Sequence, residues 1–571
     1  MKKALSAILA AAMVLSLTAC GGGSSSSSAG SSAAPAETTA IQINNALNEK
    51  KDSTAETTVA ETISAEEKAE KAADKKKELV VGSNTEPDAF VPFSSVYGGN
   101  SNDDNIMTQN IYENCYTLMP DGSIAPRTAK NIAISEDGLD YVIDFRDDVK
   151  FCTGEPLTME DILWSIDKGV HTAESEPNPD PTKERRLSSF FLNLESIEQT
   201  GDWQVTLHFS KVNNQALKAG LASRALCFMD KSHYEEVGLD EYYAHPVGTG
   251  PYMLTDWSKT NYQTYEINPY YYGDKPVYEK ITLKFLTDSN TQMLALENKE
   301  IDVLVNAQLD GLLRLDPNGD IGFEAAASNS VLNLQFNLQT PLTKNEAFRK
   351  AVASAINRED YIMAVYNGYS KPSDMVACTY YSGFPAEGSY TKPYAYDPEK
   401  AKEYLKEAGY AGEEFIIRCQ QGTKAETAAV ILQGALINIG VNCTVKTLDG
   451  ASNSALGKTL EGWHAFMVVQ TSTAMDCISS RSQLDQNYLR EMNQALTMAD
   501  DDEWNGLWDQ ADITPDGPER RELFAKIVTI MNEKAYDIPI CEDLNASGFH
   551  KYVEGVVSRP ARGDYRLAEW Y

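Results

Sequence analysis

The sequence predicts an α/β fold in at least two lobes, and three observations carry that expectation. The body of the chain, residues 78 to 571, is too long for one hydrophobic core, since single cores stop growing at roughly 250–300 residues. Its first half contains strands of alternating character, as in Leu139 to Phe145 and Trp203 to Phe209, where apolar and polar side chains take turns. After Asn337, helical and strand-like stretches alternate, as a second α/β lobe requires.

At the N-terminus, Lys2 and Lys3 precede the apolar run Ala4 to Leu17, too short for a permanent membrane span and suited to a secretory signal. The run ends in Leu17-Thr18-Ala19-Cys20. Small residues before a cysteine look like the bacterial lipobox, so residues 1–20 read as a lipoprotein signal peptide with Cys20 as the lipid attachment site. From Gly21 to Lys77 the chain is rich in Gly, Ser, Ala, Thr, Glu and Lys and nearly free of aromatic residues. Such a segment cannot bury enough surface to offset the entropy of ordering, and it reads as a disordered linker reaching roughly 40 Å as a flexible coil. No other apolar run is long enough to span a membrane.

The formal net charge is −33, and it resides in the body because the charges of the signal and linker nearly cancel. A surface of that sign repels nucleic acid and anionic lipid. Besides Cys20, the cysteines at 115, 152, 227, 378, 419, 443, 477 and 541 stand singly with no Cys-x-x-Cys, so no zinc site is signalled. Their even number permits disulfides, but the isolated spacing favours small buried hydrophobes with free thiols. The six histidines form no i,i+4 pair, and neither a Gly-x-Ser-x-Gly elbow, a His-Glu-x-x-His pair nor a Walker A sequence occurs. An enzyme, a metal site and a cofactor are therefore not indicated.

Taken in order, Leu79 to Gly82 is a short strand, and Ser83 to Asp88 is the turn that leaves it. Thr158 can cap a helix running through Leu163, Trp164 and Ile166. Pro246 to Tyr252 packs two glycines and two prolines into seven residues, a specified turn in which Gly248 and Gly250 are expected to supply backbone conformations that only glycine adopts freely. Asn268 to Pro276 is a second, aromatic turn leading into the strand of Ile281, Leu283 and Phe285. Leu332 to Asn337 is a strand, and one helix is expected from Glu346 to Val365. Asp397 with Pro398 opens another helix that Gly409 stops; Thr423 to Gly440 is a third, followed by a strand from Val441 to Leu448.

Gly248-Thr249-Gly250-Pro251-Tyr252, then Asn268 to Pro276, then a strand, resembles the signature of the family-5 solute-binding proteins of ABC importers, the peptide and nickel-type receptors. Ile111-Tyr112-Glu113-Asn114, Pro120 to Asn131 and Glu136 to Ile166 resemble a second signature of that family in the right order. Leu294 to Asp302, and Phe336-Asn337 followed by Ala347 to Asp360, resemble further segments.

The resemblance covers nearly all of residues 78 to 571. It implies a two-lobed α/β fold like that of periplasmic binding proteins: lobe I from residues 78–330 and 544–571, with a subdomain of about 114–244 inserted, and lobe II from 331–543. Function then follows as capture rather than catalysis, by an extracytoplasmic, lipid-anchored monomer that closes its lobes on a peptide and delivers it to an ABC permease. A nickel chelate or an oligosaccharide is the alternative solute. The turn at Gly248 belongs to the scaffold of lobe I, and solute choice falls near Val469 to Asp476, where this chain leaves the family pattern. In peptide-binding relatives a Gly-Trp pair and an aspartate that receives the peptide ammonium follow the corresponding strand. Here Gln470 stands where an aromatic is expected, and Asp476 is the candidate carboxylate. The candidate ligand-binding residues are Glu86 and Tyr97 from the first lobe, and Asn337, Tyr380, Tyr381, Gln470 and Asp476 from the second.

Overall fold

The computed structural model describes residues 67, 76–84, 86, 105–119, 123–170, 191–222, 226–457, 459, 461–472, 475–481, 500–559 and 564–571. Cys20, Tyr97, the signal segment and nearly all of the linker fall outside them.

Strand β1 (Glu78–Ser83) turns Leu79 and Val81 inward, the alternation expected of its sequence. A short hairpin follows, β2 (Tyr116–Leu118) with β3 (Ile124–Pro126). Four antiparallel strands then make a sheet of their own: β4 (Ala129–Ile134), β5 (Asp140–Phe145), β6 (Leu194–Gly201) and β7 (Gln204–Phe209), in the spatial order β4-β5-β7-β6. The chain returns through β8 (Tyr252–Ser258), β9 (Tyr262–Ile267), β10 (Lys280–Phe285), β11 (Val303–Leu304) and β12 (Ile321–Phe336). Last come β13 (Phe415–Gln420), β14 (Cys443–Leu448), β15 (Ala465–Thr471) and β16 (Asp537–His550). With β1 these form one ten-stranded sheet, ordered β14-β13-β15-β12-β16-β11-β1-β10-β9-β8.

Two large cores sit at opposite ends of that sheet. The first packs Leu79, Val81, Ile281 and Leu283 with Ile143, Val205 and Leu207 of the four-stranded sheet. The second packs Leu332, Leu334 and Phe336 with Ile417, Met467, Trp504 and Phe524. β12 and β16, sixteen and fourteen residues long, pair antiparallel in the middle of the sheet, from Ile321 against His550 to Gln335 against Asp537. This is the two-lobed α/β fold that the sequence leads one to expect.

The helix opened by Thr158 spans Met159–Val170; Thr158 Oγ1 accepts the Asp161 amide, and Asp161 Oδ2 accepts the Thr158 amide in return. Asp397 accepts the Lys400 amide at 2.9 Å at the head of Pro398–Glu407, and Gly409 leaves it with φ +67°. The single helix expected from Glu346 to Val365 is instead two, Glu346–Ser354 and Arg358–Tyr366. Tertiary bonds override the periodicity there: the Ser354 carbonyl accepts from the Asp397 amide, and the Arg358 guanidinium donates to the carbonyls of Pro539 and Tyr394, which re-aims the second helix toward β16.

Gly248 and Gly250 require a different correction. Neither has a positive φ. Their need is for space: a Cβ on Gly248 would stand 2.1 Å from the Ile111 carbonyl oxygen, and one on Gly250 would stand 2.6 Å from that of Asn110. The turn lies directly on the end of helix Asn105–Ile111, and Gly250 N–H donates to the Ile111 carbonyl at 2.8 Å. Gly248→Ala is expected to lower stability by about 1–3 kcal/mol through overpacking, checked as a drop in Tm; an unchanged Tm would show that the helix end yields.

The eight cysteines described are all free, seven of them buried and Cys152 half-buried. Burial pushes the Cys378 thiol up to about 12, in keeping with an inert packing residue. No helix among the described residues is long and apolar enough to cross a membrane.

Candidate functional site

Between the two cores, the pairing of β12 with β16 loses register. Ala327 faces Leu544 and Val331 faces Glu542, so Ser328, Asn329 and Ser330 oppose Asp543 alone. A bulge of this kind disrupts the ladder and leaves carbonyls in need of donors. The segment around Tyr380 supplies them: the Tyr380 hydroxyl donates to the Ser328 carbonyl and the Tyr381 hydroxyl to the Asn329 carbonyl, each at 2.8 Å. Burial holds both phenols well above their ordinary pKa, so they remain donors. On the opposite strand, Asp543 accepts from the Tyr366 hydroxyl at 3.0 Å and from the Lys424 ammonium at 2.6 Å.

The same segment forms one wall of a pocket of about 370 Å³, with Thr379, Tyr380, Tyr381, Ser382, Phe384 and Pro385 in its lining. Ser123 from the β2–β3 turn, Lys218 beyond β7, Asp516 and Arg521 complete it. The Lys218 ammonium donates to the Tyr380 carbonyl at 3.3 Å, so the two sides touch. Hydroxyls, one carboxylate and two cations around such a space can hold a polar solute by reversible, charge-assisted bonds. The described lining has no histidine or cysteine.

Behind Ser382 lies a buried ion pair. Ser382 N–H donates to the Met475 carbonyl and its carbonyl accepts the Cys477 amide, both at 3.0 Å, which fixes Asp476 between them. Both Asp476 oxygens accept from Arg520 at 2.8 Å, and Oδ1 also accepts the Ile478 amide at 2.8 Å. The side chains are 1% and 0% exposed. Burial pulls the Arg520 guanidinium down, but the adjacent Asp476 carboxylate outweighs it and holds the group above its ordinary value.

Residues 123–488 match the family model of the bacterial extracellular solute-binding proteins, family 5, middle region. The chain belongs to this family. The binding protein is 26% identical over 366 residues to the glutathione-binding protein GsiB of Salmonella typhimurium, covering 63% of this chain and 68% of that one. Its fold is that of NikA from Brucella suis, solved with Fe(III)-EDTA, at a TM-score of 0.74 and 22% identity over 87% of this chain and 100% of the other. DppA from Helicobacter pylori, solved with the peptide STSA, gives a TM-score of 0.69 and 22% identity over 86% and 98%. The protein is thus an extracytoplasmic solute-binding component of an ABC importer and not an enzyme.

Of the residues singled out in the sequence, the binding protein gathers four around the bulge. Tyr380 and Tyr381 line the pocket, Asp476 sits behind it, and Gln470 pairs across the sheet with Val331, next to the Thr471 hydroxyl that meets Ser330 at 2.8 Å. For Asp476 the partner differs from the ammonium implied by resemblance, because Arg520 already takes both oxygens. Asn337 is not at the pocket: it directly follows β12 beside the second core, fully buried, donating to the Trp463 carbonyl and accepting the Gln339 amide. Glu86 clamps the β8–β9 hairpin, accepting from Trp257 Nε1 and the Thr260 amide at 2.9 Å each. Sequence reasoning missed Ser123, Lys218, Asp516, Arg520 and Arg521. Gly517-Pro518 does mark a helix start, but which of the adjacent Arg520 and Arg521 turns inward depends on the phase in which that helix packs.

Proposed function

We propose that the binding protein captures short peptides in the pocket beside Tyr380 and Tyr381, closing its lobes on them and passing them to an ABC permease. The observation that carries this reading is the pocket's charge: an acidic Asp516 with the cationic Lys218 and Arg521 around a space of about 370 Å³ suits a solute with an ammonium at one end and a carboxylate at the other. The likeness to a protein named for binding glutathione, itself a tripeptide, supports it. Tyr380 and Tyr381 serve chiefly to tie the bulge, and the lobes move about it, lobe I being residues 78–330 and 544–571 with the inserted 114–244, and lobe II 331–543. Cys20 anchors a monomer to the outer face of the cell membrane by lipid.

A metal chelate is the second reading, favoured by the fold shared with NikA, since a chelator's carboxylates would meet the same two cations. Native mass spectrometry of the protein purified without denaturation is the test. A family of peptide masses released on unfolding is the expected result; a single metal-bearing or sugar mass would replace the peptide reading.

A further inference from the structure

We propose that Asn214 is a latch that holds the two lobes shut over the pocket without touching the solute. Asn214 follows β7, and its side chain reaches a loop three hundred residues away: Nδ2 donates to the Thr514 carbonyl at 2.8 Å and Oδ1 accepts the Asp516 amide at 2.9 Å. One side-chain amide thus engages the C=O and N–H of residues two apart, the pairing that a neighbouring strand would make. Beside it, Pro515 and Val212 lie where a side chain at Gly138 would reach, and Lys218 bonds the Tyr380 carbonyl.

The chain after Asn214 is anchored in the first core by Ala216 and Leu221. The loop Thr514–Asp516 joins helices Asp502–Ile513 and Pro518–Lys534, which anchor in the second core through Trp508 and Phe524. Opening the cleft on the β12–β16 bulge must pull these elements apart. Both bonds are neutral and both partners are backbone, so the latch favours the closed form equally for every solute. Loss of two ordinary hydrogen bonds shifts the closed–open equilibrium toward the open form by about tenfold, and apparent affinity falls with the closed population. The inference rests on the two-lobed capture reading but not on the identity of the solute.

Asn214→Ala tests it, with the milder Asn214→Ser in reserve should the first variant misfold. In the solute-free protein, hydrogen exchange of the peptide spanning 513 to 517 is expected to quicken by up to about tenfold, and small-angle scattering to give a larger radius of gyration than wild type. By calorimetry with tri-alanine and with glutathione as probes, both dissociation constants are expected to rise by the same factor, at most about ten. Exchange and scattering identical to wild type overturn the latch, as does a loss confined to one probe, which would make Asn214 a solute contact. Failure of the wild type to bind either probe sinks the peptide reading instead, and exchange and scattering alone then decide the latch.

Discussion

Asp476→Ala is expected to cost about 3–5 kcal/mol of stability, far more than the loss of one solute contact, because it strands a buried cation. Arg520 is fully buried, and its guanidinium has the two Asp476 oxygens at 2.8 Å and the Ala511 carbonyl as its hydrogen-bond acceptors. Arg520→Ala is expected to cost a similar amount by leaving the carboxylate unpaired. A double replacement by apolar residues of similar volume, Asp476→Leu with Arg520→Met, is expected to recover most of the loss, since a buried pair as a whole contributes little beyond its own desolvation. Denaturant unfolding of the second core distinguishes the cases. Single variants within about 0.5 kcal/mol of wild type would mean that Asp476 reaches solvent, and its role as receiver of a solute ammonium would then return.

A pH dependence is the second large effect expected. Asp537, at the start of β16, is 1% exposed, and burial pushes its carboxyl up to about 7, against hydrogen bonds from Asn333 that act the other way. Asn333 Nδ2 donates to both its oxygens at 2.9 Å, while Asn333 Oδ1 is buried with no partner. A carboxyl raised in the folded state binds its proton where the unfolded chain has lost it. Its contribution is therefore fully present below about pH 4, is lost progressively as pH rises to about 7, and stays lost above, a change of about 4 kcal/mol. Asp537→Asn removes that slope. The new amide keeps an acceptor for Asn333 and adds a donor for its orphaned oxygen, so Tm at pH 8 is expected to rise and its fall between pH 4 and 7 to flatten. Parallel Tm profiles for variant and wild type would rule out a neutral, buried Asp537.

What could be read from the chain divides by the range of the forces involved. Local rules found β1, β5, β7 and β10, the caps at Thr158 and Asp397 and the stop at Gly409, because each depends on residues within a turn or two. They failed where a distant group intervened. The helix from Glu346 divides because Asp397 and β16 take its bonds. β12 extends well before Leu332 because β16 pairs with it as far back as Ile321. Gly248 and Gly250 were recognisable as obligatory, but their reason lies across the fold, in the backbone of Asn110 and Ile111.

The candidate site follows the same division. Tyr380 and Tyr381 drew notice as aromatic residues, yet what fixes them is a pair of bulge carbonyls near residue 330. Asp476 looked like a free carboxylate beside a strand end, and nothing nearby in the sequence identifies Arg520 as its partner. By itself the sequence determined the family and the two-lobed α/β plan, since motifs, caps and hydrophobic period are short-range records of the scaffold. Only the tertiary structure decided which charges are already paired and which line the pocket, because burial and pairing depend on residues far apart in the sequence, as Asp476 and Arg520 are.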